Sequence, residues 1–167
     1  RLYKHYSHEG GISMPAIIHW PDADLPKGTV IDTPAHIIDL VPTMLAAAQA
    51  DYPQNYQGLP TMPLPGVSLL DLWQDGRVDE RLRKRALFFE HQGSRAVREG
   101  DWKLVATRGE PWELYNVKDD RTESDNLVKR HPIIAKYLAA KWDLWAEKNQ
   151  VTPLPKNLGA DYLVPLK

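Results

Sequence analysis

Hydrophobic and polar positions divide the chain into two textures. In the first half, Pro15-Ala16-Ile17-Ile18-His19-Trp20 is a nearly continuous apolar run closed by Pro21. A short apolar run between prolines predicts a buried strand of parallel type. A turn-rich loop from Asp22 to Gly28 follows. Thr33-Pro34 then reads as a helix N-cap with proline at the first helical position. Behind it Ile37, Ile38, Val41, Leu45 and Ala48 recur at helical spacing, which predicts one buried face. Pro42 inside that pattern predicts a kink near Ile38. Strand, loop and helix together predict the end of an α/β layer over residues 1–60. Residues 61–85 read as a connection, with a short helix or turn at Val67–Trp73 and a polar patch from Asp75 to Arg85.

The second half alternates. Ala86–Glu90, Arg95–Arg98, Trp102–Ala106 and Trp112–Asn116 read as four strands, with Glu99-Gly100-Asp101 as a tight hairpin turn. Hairpin-linked strands predict an antiparallel sheet with one apolar face. The cover for that face is a helix opening at Pro132, in which Ile133, Ile134, Tyr137, Leu138, Trp142 and Trp145 form a stripe. Residues 86–150 are thus expected as an α+β subdomain. Residues 151–167, with three prolines, are expected as an extended tail.

Composition narrows the function classes. The 167 residues are 43% hydrophobic and 26% charged, with a formal net charge of −1. Such a balance gives no electrostatic reason to expect nucleic acid or an anionic membrane as partner. No stretch approaches the roughly 20 apolar residues that span a bilayer. Without cysteine there is neither a disulfide nor a thiolate metal site. The chain opens at Arg1 with no Met or leader, which reads as a piece of a longer protein.

The segment richest in chemistry is Lys4-His5-Tyr6-Ser7-His8-Glu9-Gly10-Gly11-Ile12, followed by Pro15 and Trp20-Pro21. A lysine, four residues, Glu-Gly-Gly, a proline and a run ending in Trp-Pro resemble the sulfatase family of the alkaline-phosphatase-like superfamily. The resemblance continues through Asp39-Leu40-Val41-Pro42-Thr43, Gly66-Val67-Ser68-Leu69, Arg95 to Leu104, Glu113-Leu114-Tyr115-Asn116 and Asn126-Leu127. It implies the C-terminal portion of a sulfatase, in which Lys4 reaches the sulfate group. An ammonium, charged at neutral pH, can pair with a sulfate oxygen as charge builds in the transition state. Gly10 and Gly11 would let the backbone turn sharply beside the site.

The other candidates carry two readings each. His5 and His8 lie beside Lys4 and either line the substrate pocket or pack structurally. Glu90 and His91, at a predicted strand end, either contact the sugar or aryl part of the substrate or serve the fold. His19, His36 and His131 read as structural. Asp119, Asp120, Glu123 and Asp125 lack the spacing of a calcium loop and read as a solvated turn. Trp102, Trp112, Trp142 and Trp145 read as core. Asp39 reads as the acceptor of a structural hydrogen bond.

The resemblance also implies what the chain lacks. Sulfatases use a formylglycine made from Cys or Ser in a Cys/Ser-x-Pro-x-Arg motif, and an oxygen-ligated calcium. Neither the motif nor a metal site is found here, so both are expected upstream, in an N-terminal catalytic domain that is this chain's implied partner. The isolated chain is expected to be inactive, and to bind no cofactor of its own. The implied substrate is a small-molecule or carbohydrate sulfate ester, and the implied location periplasmic or extracellular. Two alternatives stand beside this: a phosphoesterase or phosphonate hydrolase of the same superfamily, and a non-catalytic structural or oligomerisation module.

Overall fold

The structure, a computed structural model, describes residues 1–151. In chain order they form α1 (Glu9–Ile12), a 3-10 turn η1 (Ile37–Asp39), α2 (Leu40–Ala47), β1 (Asn55–Tyr56), β2 (Leu59–Pro60), α3 (Leu70–Asp75) and α4 (Glu80–Lys84). Then come β3 (Ala86–His91), β4 (Ser94–Glu99), β5 (Trp102–Ala106), β6 (Glu113–Asn116) and α5 (Pro132–Lys148). The expected four-stranded antiparallel sheet and long C-terminal helix are both present. The tail expected from residue 151 falls, beyond Val151, outside the described residues. Among those described, no helix is long and apolar enough to cross a membrane.

The chain divides into two compact units. One joins Arg1–Ala16 to the chain from Ala86 onward; the other is Ile17–Arg85. The hydrophobic pattern had grouped residues 1–60 together, whereas the compact units part at Ala16 and Arg85.

In the first unit the strands run in the order β3-β4-β5-β6, every pair antiparallel. The β3–β4 turn uses Gln92 and Gly93 at φ of 52° and 82°. Two successive positive φ values match the right-handed twist of the flanking strands. Val97, Leu104 and Leu114 point to one face and meet Ala135 and Leu138 of α5, with Phe88, Trp102, Trp112 and Trp142 packed around them. Trp145 stacks on Phe88 with ring centroids 5.1 Å apart. The four tryptophans are core, as their spacing predicted. The expected stripe on α5 holds at Ile134, Leu138, Trp142 and Trp145 but not at its other two positions. Ile133 and Tyr137 are 83% and 51% exposed, while Ala135, Leu138 and Ala146 carry the burial.

The single apolar face expected for the sheet is corrected to two covered faces. Ala96, Val105, Tyr115 and Val117 form a second cluster, and Lys103 through Ala106 are all buried. The cover on this side is the segment from Arg1 to Ile12. Lys103 made β5 look half-polar, but its charge is paired inside.

In the second unit two expectations fail. Pro15–Trp20 forms no strand; Ile17 is 95% exposed, and His19, expected at a buried strand position, is exposed as well. An apolar run becomes a strand only with a ladder partner, and no described strand pairs with it. The helix starts at His36, not Thr33. His36 Nδ1 accepts from Ile38 N–H at 3.3 Å, and the Asp39 carboxylate accepts from His36 N–H at 2.8 Å, a reciprocal cap. The kink expected near Ile38 is a change from 3-10 to α-helix. The buried face is also the opposite of the expected one: Asp39 and Thr43 are buried while Ile37 and Val41 are 76% and 48% exposed. Asp39 takes the Val67 N–H at 3.0 Å and an ion pair from Arg85. Thr43 Oγ1 takes the Leu69 N–H at 2.9 Å. These bonds seat Val67 and Leu69, which cluster with Leu72 and Leu82. Asp39 is thus the structural acceptor its place in the sequence suggested. The polar patch contains α4, capped by the Asp79 carboxylate on Arg81 N–H.

Candidate anion-binding loop

The candidate residues converge on the segment Arg1–Ile12, which lies over the second face of the sheet. Side-chain parity decides which strand residues meet it. His91, Ser94, Lys103, Glu113 and Tyr115 all share that face, and each is engaged by the segment. Ser7 N–H donates to Ser94 Oγ at 2.8 Å. The Arg1 guanidinium pairs with Glu113 and lies 5.8 Å from the Tyr115 ring centroid. His5 Nδ1 is 3.0 Å from His91 Nε2, with their rings stacked 5.2 Å apart at 14°.

Lys4 is exposed and sits at φ 55°, in the left-handed region. Among the described residues its ammonium makes no hydrogen bond or ion pair. It is therefore available to an external anion. His5 and His91 lie on the same loop and at the end of β3. Their ring nitrogens can share only one proton between them, so one ring donates and the other accepts. Glu90 is exposed, and its Oε1 accepts from Gly93 N–H at 2.8 Å, closing the β3–β4 turn.

His8 is set apart from these. It is fully buried, with Nε2 3.3 Å from Glu113 Oε2 and 3.4 Å from the Arg1 guanidinium. Burial holds its pKa below the usual histidine value, against the pull of nearby Glu123 and Glu113. In this unit it packs beneath the loop and does not reach its exposed side.

What requires glycine at positions 10 and 11 is close approach of the chain to itself. Both are in α1. A Cβ on Gly11 would fall 2.0 Å from Tyr6 O, and one on Gly10 would fall 2.4 Å from Leu2 O. Only glycine allows the chain to fold back on itself here.

Sequence reasoning missed the groups that fix the loop. Lys103 Nζ lies 2.8 Å from Glu9 Oε1 and 2.8 Å from Glu123 Oε1, and all three side chains are buried. Glu123 Oε2 also accepts from Glu9 N–H at 2.9 Å. Burial would raise the Glu9 carboxyl, but the Lys103 ammonium outweighs it and holds the pKa below the ordinary carboxylate range. The solvated turn expected at Asp119–Asp125 is corrected at Glu123, which is wholly buried. Asp120 keeps that turn: it accepts from Ser124 and Asp125 N–H groups, and these bonds overcome desolvation to bring its pKa to about 2. A lysine at an inward position of an otherwise apolar strand was the signal available, and it called for buried carboxylates.

Chemically, the exposed side of the loop offers an ammonium and an imidazole pair, which suit an anion. Among the described residues, no group of three or more His, Asp or Glu is placed to hold a metal ion.

The sequence family described as N-sulphoglucosamine sulphohydrolase, C-terminal, matches residues 2–148. An uncharacterised sulfatase of Schizosaccharomyces pombe is 31% identical over 96% of this chain and 30% of its own length. An N-acetylglucosamine-6-O-sulfatase of Bacteroides thetaiotaomicron is 28% identical, over 74% of this chain and 23% of its own. Among solved structures, Ps i-CgsB shares the fold, with a TM-score of 0.64 at 23% identity, covering 79% of this chain and 28% of that one. The chain spans less than a third of each of these proteins. A family match over nearly the whole described chain, with the lysine and Glu-Gly-Gly pattern on one ordered loop, means that the chain belongs to the sulfatase family, as a C-terminal domain.

Proposed function

We propose that this chain is the C-terminal part of an enzyme that hydrolyses sulfate esters, and that Lys4 binds the sulfate group. The observation that carries the reading is the state of Lys4: exposed, unpaired among the described residues, and placed on a loop anchored to the sheet a few residues on. A surface lysine without a role has no need of such a footing. Its ammonium would neutralise charge that builds on sulfate oxygens as the ester bond breaks. The His5–His91 pair would meet the part of the substrate that leaves, whereas Glu90, one position earlier in β3, turns to the opposite face of the sheet and closes the β3–β4 turn. A carbohydrate sulfate is favoured by the likeness to an N-acetylglucosamine-6-O-sulfatase. The nucleophile and the calcium that the family resemblance implies would belong to the rest of the protein.

Two measurements test this. In the full-length protein, Lys4→Ala should lower kcat/KM for a sulfate ester at least 100-fold, about 2.7 kcal/mol, with the melting temperature unchanged. An unaltered kcat/KM would remove Lys4 from the site. The isolated chain should not hydrolyse an aryl sulfate, and turnover by it would refute the division of labour. Faster hydrolysis of phosphonate than of sulfate esters by the full-length protein would favour the related phosphonate chemistry instead.

A further inference from the structure

We infer that Lys103 is a positioning residue, which through Glu9 and Glu123 holds the Lys4 loop in the geometry that binds sulfate. The inference rests on the reading of Lys4 given above, and begins from an energetic oddity. Lys103, Glu9 and Glu123 are all buried, at side-chain exposures of 0%, 7% and 0%. Removing charges from water is costly, and apolar side chains of similar volume often stabilise a fold as well or better. Val105 and Tyr115 line the same face of the sheet, so a methionine at 103 would suit packing alone. What an apolar residue could not supply is direction.

The ammonium sits between two carboxylates that come from different parts of the chain. Glu9 belongs to the loop, and Glu123 to the segment after β6. Glu123 then holds Glu9 a second time, through its backbone N–H. With Ser7 N–H on Ser94 Oγ, the loop is tethered through its backbone at Ser7 and Glu9, just downstream of Lys4. Gly10 and Gly11 press the other side of the loop against the backbone from Arg1 to Tyr6. The Lys4 side chain has no bond of its own to orient it, so its direction depends on this backbone footing. Fixing a group within a fraction of an ångström is what binding and catalysis demand of a supporting shell.

The test uses the full-length protein with Lys103→Met, Glu123→Gln and Lys4→Ala, read by amide hydrogen exchange, by kcat/KM and by inhibition with inorganic sulfate. Glu123→Gln keeps the shape and the acceptor for Glu9 N–H, so it carries the test if Lys103→Met does not fold. The expected result is local. Exchange at Ser7 and Glu9 rises at least tenfold while Val97 and Leu104 stay as protected as before. In the same variants kcat/KM falls, and sulfate inhibits less well, each at least tenfold. The inference is overturned if exchange at Ser7 and Glu9 stays slow in a folded variant, or if the loop loosens with sulfate inhibition and kcat/KM intact. Should Lys4→Ala lose activity while Glu123→Gln keeps it, only the positioning role falls. Should Lys4→Ala itself be fully active, the sulfate reading falls, and the positioning role with it.

Discussion

At the scale of single residues, the loop owes its shape to what is missing as much as to what is present. A methyl group on Gly11 would overlap Tyr6 O, so Gly11→Ala should destabilise the first unit by about 3 kcal/mol, the upper part of the usual range for overpacking. Urea unfolding followed by tryptophan fluorescence would show it as a lowered midpoint. The Glu-Gly-Gly motif was plain in the sequence, but its reason was not. Glycine pairs suggest turns, and only coordinates reveal a carbonyl behind each hydrogen. Glu123 was illegible for a similar cause. It stands among Asp119, Asp120 and Asp125, which look solvated, and its partners at positions 9 and 103 are far away along the chain.

Elements were legible where a local period was backed by local partners. The strands of the sheet pair through short hairpins, so alternation and turn residues sufficed. The helix α5 is visible by period, although Ile133 at its N-terminal end faces out. Two substitutions separate the faces: Leu138→Ala should cost about 2–5 kcal/mol, and Ile133→Ala no more than about 0.5 kcal/mol. Thermal melts of the two variants check this, and equal losses would contradict the packing described. The element between residues 36 and 47 misled because apolar spacing normally marks the buried face. Here a carboxylate and a hydroxyl take that role, since both satisfy backbone N–H groups of the Val67–Leu69 stretch. Asp39→Ala would strand Arg85 and two amides, and should cost about 3 kcal/mol by the same melts.

At the scale of the whole molecule, the charges inside the first unit set its response to acid. Glu9 titrates in the fold below its ordinary value of 4.5. The unfolded chain therefore takes up that proton first, and this contribution to stability, full above pH 4.5, is lost as the pH falls. His8 adds to it at higher pH. Its folded pKa lies below 6.5, so protonation favours the unfolded chain from about pH 6.5 downward. Melting temperature should thus decline between pH 7 and about 3 in two stages, the upper starting near pH 6.5 and the lower near pH 4.5, and His8→Gln should erase the upper one. A flat profile over that interval would mean that neither group is buried as described.

The joining of Arg1–Ala16 to the sheet from Ala86 onward also has a consequence for biosynthesis. Glu9 meets Lys103 and Glu123 across 94 and 114 positions, so the head of this stretch emerges from the ribosome long before its seat exists. Closing so long a span is slow compared with hairpin formation. Nascent chains stalled ahead of Glu123 should be nicked by trypsin after Lys4, and those released beyond it should resist. The last clasp to form would then be the one that readies the sulfate-binding lysine.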